Sequence, residues 1–155
     1  MSLTEGQDAP DFSLQATGGR TVSLASLKGK PFVLYFYPRA DTPGCTKEAC
    51  AFQDSLPDFS KLDVTVIGVS KDGMKALEKF AEKYTLAFPL ASDPETKVIN
   101  AYGAWQEKSM YGKKYMGIER STVLVDAAGK VAKHWPKVKV TGHAEDVLKA
   151  LQSES

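Results

Sequence analysis

The sequence predicts an α/β domain, with a central mixed sheet flanked by helices and an N-terminal hairpin ahead of it. Three observations carry that expectation. Residues 31–37 (PFVLYFY) and 64–70 (VTVIGVS) are nearly continuous apolar, β-rich runs, the pattern of strands buried on both faces of a sheet. Helical periodicity follows each of them, first from Cys45 and then from Met74. The chain closes with a strand pair and an amphipathic segment.

In chain order, residues 12–14 and 21–24 alternate around Thr17-Gly18-Gly19, which reads as a short hairpin. After the 31–37 strand, Cys45, Ala49, Phe52, Leu56 and Phe59 recur at helical spacing, and Pro57 is expected to end or kink that helix near Leu56. The 64–70 strand leads to Met74, Leu77, Ala81 and Tyr84, one face of a helix. A short strand at 88–90 and a helix beginning near Pro94 come next. The Lys-rich stretch 108–114 reads as a solvated loop, and Trp105, Tyr111 and Tyr115 as ordinary packing residues ahead of the alternative that they edge a pocket. Residues 122–126, a turn at 127–130 and 131–135 form a strand hairpin. Ala144, Val147, Leu148 and Leu151 fall at i, i+3, i+4 and i+7 of a last helix, and His134 and His143 are expected at the surface or at a cap. This order is that of a thioredoxin-like sandwich. With no repeat, linker or low-complexity stretch, residues 1–155 are expected to form one domain.

Composition narrows the function. Hydrophobic residues at 43% and charged residues at 25% suit a soluble domain able to bury a core without staples. Twenty Lys and Arg against 19 Asp and Glu leave +1, so charge advertises neither nucleic acid nor a membrane. No run approaches the roughly 20 apolar residues of a membrane span. Residues 1–8 have neither a basic start nor an apolar segment, so the protein is expected in the cytoplasm.

The two cysteines, Cys45 and Cys50, have four residues between them. In a cytoplasmic chain a close pair points to catalysis or metal rather than a structural disulfide. Zinc wants four ligands, and the two histidines lie far downstream. The spacing is not the C-x-x-C of thioredoxin-type redox sites. Burial as small core thiols stands beside the redox reading on spacing alone.

The junction after the first central strand is more specific: Tyr37-Pro-Arg-Ala-Asp-Thr-Pro-Gly-Cys45-Thr-Lys-Glu-Ala-Cys50. Thr42 followed by Pro43 reads as an N-cap and the favoured N1 proline, which puts Cys45 at N3. Backbone amides there lack helical partners and the helix dipole is positive, so a thiolate is stabilised. Cys50 lies about 140° around the same helix, with Cα atoms roughly 8–9 Å apart. A disulfide needs about 7 Å or less, so the pair can join only if the first turns unwind.

Pro38-x-x-x-Thr42-x-x-Cys45 resembles the peroxiredoxin active-site motif, and residues 42–50 (TPGCTKEAC) are similar to its bacterioferritin comigratory protein (peroxiredoxin Q) branch. Residues 88–93, 107–113 and 117–122 resemble the same branch, and the likeness runs from about Gly6 to Leu151. The resemblance implies a thiol peroxidase without metal or cofactor. Cys45 is then the peroxidatic thiolate, attacking a hydroperoxide to form sulfenic acid. Thr42, the amides of Gly44 and Cys45, and Arg120 are the donors to the leaving oxygen. Pro38 shields the site, and Cys50 resolves the sulfenic acid as an intramolecular disulfide. Thioredoxin or a similar dithiol reduces that disulfide, and a resolving cysteine in the same chain suits a monomer. Glu48, one turn from Cys45, fits either a family position or a structural contact. The competing readings are a general thiol–disulfide oxidoreductase, which leaves Thr42 and Arg120 unexplained, and a redox-regulated binding or chaperone protein whose helix unwinds on oxidation.

Overall fold

The computed structural model describes residues 3–154. Met1 and Ser2, part of the segment read for a leader, and Ser155 lie outside it. The elements are β1 (Ser13–Ala16), β2 (Arg20–Ser23), α1 (Leu24–Leu27), β3 (Phe32–Phe36), α2 (Pro43–Lys61), β4 (Thr65–Ser70), α3 (Met74–Tyr84), β5 (Leu90–Ser92) and α4 (Lys97–Ala101). They continue with β6 (Trp105–Met110), β7 (Lys113–Ile118), β8 (Ser121–Val125), β9 (Val131–Trp135) and α5 (His143–Glu154).

Seven strands form one mixed sheet in the order β2-β1-β5-β4-β3-β8-β9. The two apolar runs become the parallel central pair β3 and β4, with Leu34 opposite Ile67. Strand β8 returns antiparallel on the other side of β3, opposing Ser121 to Phe36. Because strand side chains alternate, β3 divides the core in two. Val33 and Tyr35 pack with Cys45, Ala49 and Phe52 of α2, Leu77 and Phe80 of α3, and Val147 and Leu151 of α5. Phe32, Leu34 and Phe36 face Phe12, Ile99, Tyr102 and Ile118. The β1–β2 hairpin joins the sheet through β5. The fold is the expected thioredoxin-like sandwich.

Four local expectations are corrected. Helix α2 continues through Pro57 to Lys61. A mid-helix proline removes one hydrogen bond at a cost of about 3 kcal/mol. Pro57 takes the exposed face, while Phe52 and Phe59 bury on either side and meet at 6.0 Å between ring centroids. The third inner strand begins at Leu90 rather than 88, since Pro89 has no N–H to give the ladder. Helix α4 starts at Lys97 rather than Pro94. There the Asp93 carboxylate accepts from the amide of Ile99 at 2.8 Å.

The fourth correction concerns the Lys-rich stretch, which is no loop but the hairpin β6–β7, pairing Met110 with Lys113 as a separate two-stranded sheet. Its turn residues Tyr111 and Gly112 both have positive φ, 52° and 77°, the requirement of a type I′ hairpin turn. Asn-Gly is the usual sequence signal for that turn, and Tyr-Gly hides it.

Candidate active site

Strand β3 is held in the sheet to its end, where the Tyr37 amide donates to the Val69 carbonyl at 3.1 Å. The chain then leaves the sheet at the half-buried Pro38 and turns through residues 39–41 into α2. Thr42 occupies the N-cap with extended backbone (φ −98°, ψ 156°), Pro43 is N1 and Cys45 is N3, as the sequence predicts. The Thr42 carbonyl accepts the Thr46 amide at 2.8 Å. Its hydroxyl, however, caps nothing: it donates to the Arg39 carbonyl at 2.8 Å. The turn is thereby closed on itself, and the amides of the first helical turn receive no bond from the N-cap side chain.

Cys45 is only 1% exposed, sunk among the side chains between α2 and the sheet. Arg120 stands immediately before β8, and β8 lies against β3, so its guanidinium is carried to the start of α2. Arg120 Nη2 donates to Cys45 Sγ at 3.3 Å and Nη1 donates to Glu48 Oε1 at 2.7 Å. A Cβ at Gly44 would come within 3.1 Å of Arg120 Nη2, tight enough that the guanidinium would have to shift slightly.

Glu48 is buried and shares the Arg120 guanidinium with the Cys45 sulfur. Burial pushes its carboxyl up to about 7, while the Arg120 guanidinium pulls it back down. Glu48 Oε2 is buried without a partner. For Arg120, burial works against the charge, but Glu48 and the Cys45 sulfur outweigh it and raise the guanidinium pKa.

Cys50 is half-buried further along α2, where burial and the Asp54 carboxylate push its thiol up. Both cysteines are free. One unbroken helix through both keeps the sulfurs apart, as the spacing requires.

Two carboxylates that nothing in their sequence neighbourhood marks out hold this turn. Asp72, after β4, accepts the Ala40 amide at 2.8 Å and the Ser70 hydroxyl at 2.8 Å. Asp41 adopts a left-handed backbone (φ 60°), and its side chain accepts from Lys83 Nζ at 2.9 Å and the Tyr84 hydroxyl at 2.7 Å. Positive φ is uncommon outside glycine, with Asp and Asn among the tolerant residues. Lys-Asp-Gly after a strand reads only as a turn, so Asp72 gives no sequence signal.

His143 is buried at the start of α5, not at the surface. Its Nε2 is 2.7 Å from Thr122 Oγ1, and its ring meets Phe52 and Trp135 edge-on. Burial pushes its pKa down to about 4, against the upward pull of Asp146, and Arg120 adds to the fall. Of the aromatic residues read as packing, Trp105 packs on the sheet face opposite Cys45 with Lys71 Nζ 5.6 Å from its ring. Tyr111 instead is 98% exposed. Among the described residues no cluster of three or more His, Cys, Asp or Glu side chains could hold a metal ion.

Comparison with known proteins fits this geometry. The model of the AhpC/TSA family matches residues 5–134. The chain belongs to that family. It is a peroxiredoxin, an enzyme of thiol-dependent peroxide reduction, similar to peroxiredoxin Bcp of Bacillus subtilis, with 48% identity over 155 residues covering 100% of this chain and 99% of the relative. Peroxiredoxin Bcp of Escherichia coli K12 is 40% identical over 153 residues, covering 99% and 98%. Among solved structures, Xylella fastidiosa PrxQ superposes with a TM-score of 0.94 at 35% identity, covering 99% of this chain and 98% of that one. The bacterioferritin comigratory protein of Xanthomonas campestris gives a TM-score of 0.92 at 41% identity, covering 97% and 99%. Its trapped intermediate and ligand complexes bear on its alkyl peroxide reduction activity. The peroxiredoxin therefore uses a peroxide as substrate and a thiol as reductant, and no described helix is long and apolar enough to cross a membrane.

Proposed function

We propose that this peroxiredoxin reduces hydrogen peroxide and organic hydroperoxides at Cys45, resolves the product with Cys50 and is recycled by thioredoxin. The observation that carries the proposal is Cys45 Sγ at the start of α2, 3.3 Å from Arg120 Nη2. The Cys45 thiolate attacks one peroxide oxygen along the O–O axis, the O–O bond breaks, and Cys45 becomes a sulfenic acid. The electron pair leaves on the distal oxygen, which takes a proton and departs as water or an alcohol. Negative charge moves from sulfur to oxygen, and fixed donors aimed at that path stabilise the transition state most. Arg120 Nη2 and the amides of Gly44 and Cys45 are those donors. Thr42, expected as a fourth donor, is not one: its one hydroxyl proton goes to the Arg39 carbonyl at 2.8 Å, which leaves its oxygen free only to accept the proton of the incoming peroxide. Pro38 excludes water from the open side. The alkyl peroxide reduction activity of the Xanthomonas relative supports a similar substrate class here.

Cys50 then attacks the Cys45 sulfur and water leaves as the disulfide forms. A dithiol returns the two electrons by exchange. Because donor and resolver share one helix, the cycle closes within one chain, in keeping with a monomer. Residues 1–155 act as a single domain in the cytoplasm. The test is NADPH consumption coupled through thioredoxin reductase and thioredoxin. Turnover should vanish in Cys45→Ser, while Cys50→Ser should lose thioredoxin-supported turnover but keep one fast oxidation per chain. Full activity in Cys45→Ser refutes the mechanism.

A further inference from the structure

The large apolar side chains left exposed among the described residues, Met110 (56%), Tyr111 (98%), Tyr115 (44%) and Met116 (51%), all lie on the β6–β7 hairpin. Large exposed apolar patches on a folded protein mark interaction sites, whereas scattered single residues do not. Tyr111 adds strain to exposure. Its φ of 52° is an outlier for a bulky side chain, and Asn or Gly would sit there more comfortably. The hairpin turn requires that backbone conformation, but packing gives no reason for a tyrosine there, because the side chain is almost wholly in solvent.

We propose that the tip of this hairpin docks on the surface of an anionic lipid bilayer. Shape argues for lipid over a protein partner. Cross-strand register places Met110, Lys113, Lys108 and Tyr115 on one face, and Ser109, Lys114, Glu107 and Met116 on the other. Apolar groups therefore project from both faces and from the turn between them, so no single flat patch exists for a protein surface to cover. A soft interface closes around such a blade from every side. Charge agrees. Lys108, Lys113 and Lys114 flank the apolar tip against Glu107 alone, while the whole chain carries only +1. Lys114 and Glu107 stand 3.7 Å apart and are both exposed, a contact too weak to silence the lysine. Tyrosine at the headgroup level with lysines reaching back to anionic lipid is the composition of an interfacial anchor.

The hairpin is also firmly mounted. Ile118 is buried in the core, and the Glu119 amide donates to the Ala104 carbonyl at 2.7 Å. Arg120 follows directly, so a docked hairpin holds the active site at a fixed attitude to the bilayer.

The test is co-sedimentation of the full reduced chain with vesicles of phosphatidylcholine alone and with a minority of phosphatidylglycerol, at low and at physiological salt. Binding is expected with phosphatidylglycerol, weakening as salt rises and faint on phosphatidylcholine alone. Lys113→Gln and Lys114→Gln should each weaken it about fivefold, the equivalent of roughly 1 kcal/mol per basic residue near the surface. Tyr111→Asn, which suits the left-handed turn, should keep or raise the thermal midpoint, leave hydrogen peroxide turnover unchanged and still reduce vesicle binding several-fold. Absence of binding at low salt, or binding that all three variants retain, overturns the proposal. So does a concentration-dependent self-association of the wild type that Tyr111→Asn removes, since a second copy is then the occupant.

Discussion

Arg120 reaches across 75 positions of sequence to place Nη2 3.3 Å from Cys45 Sγ, while its Nη1 is fixed 2.7 Å from Glu48 Oε1. The planar fork lets one side chain do both at a set angle. Lysine offers a single compact charge and cannot satisfy both groups at once. In a Cys50→Ser background, Arg120→Lys should therefore slow oxidation of Cys45 by peroxide roughly 100-fold, the scale of losing one well-aimed donor. Single-turnover thiol loss under excess peroxide measures it. A wild-type rate in Arg120→Lys would show that the positive charge alone suffices.

Glu48 and His143 predict an unusual pH profile of stability, because the two buried groups pull in opposite directions. Glu48 is raised to about 7, so the fold holds a proton that the unfolded chain gives up near its ordinary value of 4.5. Its contribution to stability falls as pH rises between those values and then stays flat. His143 is depressed to about 4 from 6.5, so the unfolded chain takes up the proton first and stability falls as pH drops through that window. In the wild type the two slopes largely cancel. Denaturant midpoints across this range should rise with pH in Glu48→Gln and fall with pH in His143→Gln. Parallel profiles for both variants and the wild type would mean that neither group carries the linkage.

Much of this was legible in the sequence because it rests on local rules. Two unbroken apolar runs fixed β3 and β4, and Thr-Pro-Gly-Cys fixed the start of α2 to the residue. Pro38, Thr42 and Cys45 stay together by adjacency in the chain, whereas Arg120, picked out by the peroxiredoxin resemblance, is brought to Cys45 across 75 positions by the β3–β8 pairing. What failed depends on distant packing. Pro57 breaks a helix by propensity, but the Phe52 and Phe59 burial around it outweighs the lost bond. His143 reads as a surface or cap residue; it does begin α5, but it is buried against Thr122, 21 positions away, with Nε2 and Oγ1 2.7 Å apart. Asp72 and Asp41 act through partners 32 to 43 positions distant, a relation that no spacing rule encodes.

Asp72 yields the next prediction. Removing its carboxylate in Asp72→Ala frees the Ala40 amide and lets the turn ahead of Thr42 drift, at about 1–3 kcal/mol for an unpaired buried group. Peroxide reactivity of Cys45 should drop about tenfold, a small displacement being costly where reacting atoms must align. Asp72→Asn keeps an acceptor oxygen for Ala40 and should recover most of the rate. Equal losses in both variants would assign the effect to charge rather than to the hydrogen bond. Competition for peroxide against a reference thiol peroxidase reads the rates.

The last prediction concerns the helix itself. The reduced chain keeps α2 unbroken from Pro43 to Lys61, with Cys45 and Cys50 on different sides of it. Joining them must open the turns between, at the loss of several backbone hydrogen bonds each worth about 1 kcal/mol net. It must also pull Cys45 out of a site where it is 1% exposed. The turn before the helix is anchored elsewhere, on Asp72 and on Lys83 and Tyr84 of α3, so opening should begin at Cys45 and run toward Phe52 while Ala40 stays in place. Phe52 packs edge-on against His143, which makes that imidazole a reporter. On stoichiometric oxidation, helical content should fall and amide exchange should accelerate over residues 43–52, with the Ala40 amide still protected. The His143 ring resonances should shift, and its pKa should rise from about 4 as burial is relieved. Unwinding also sets how long the sulfenic acid waits for Cys50, so excess peroxide should convert a fraction to sulfinic acid, detected by intact mass. Unchanged protection over residues 43–52 in a chain shown by mass to carry the intramolecular disulfide would refute the unwinding step. It would require the two cysteines to meet by a route that leaves α2 intact.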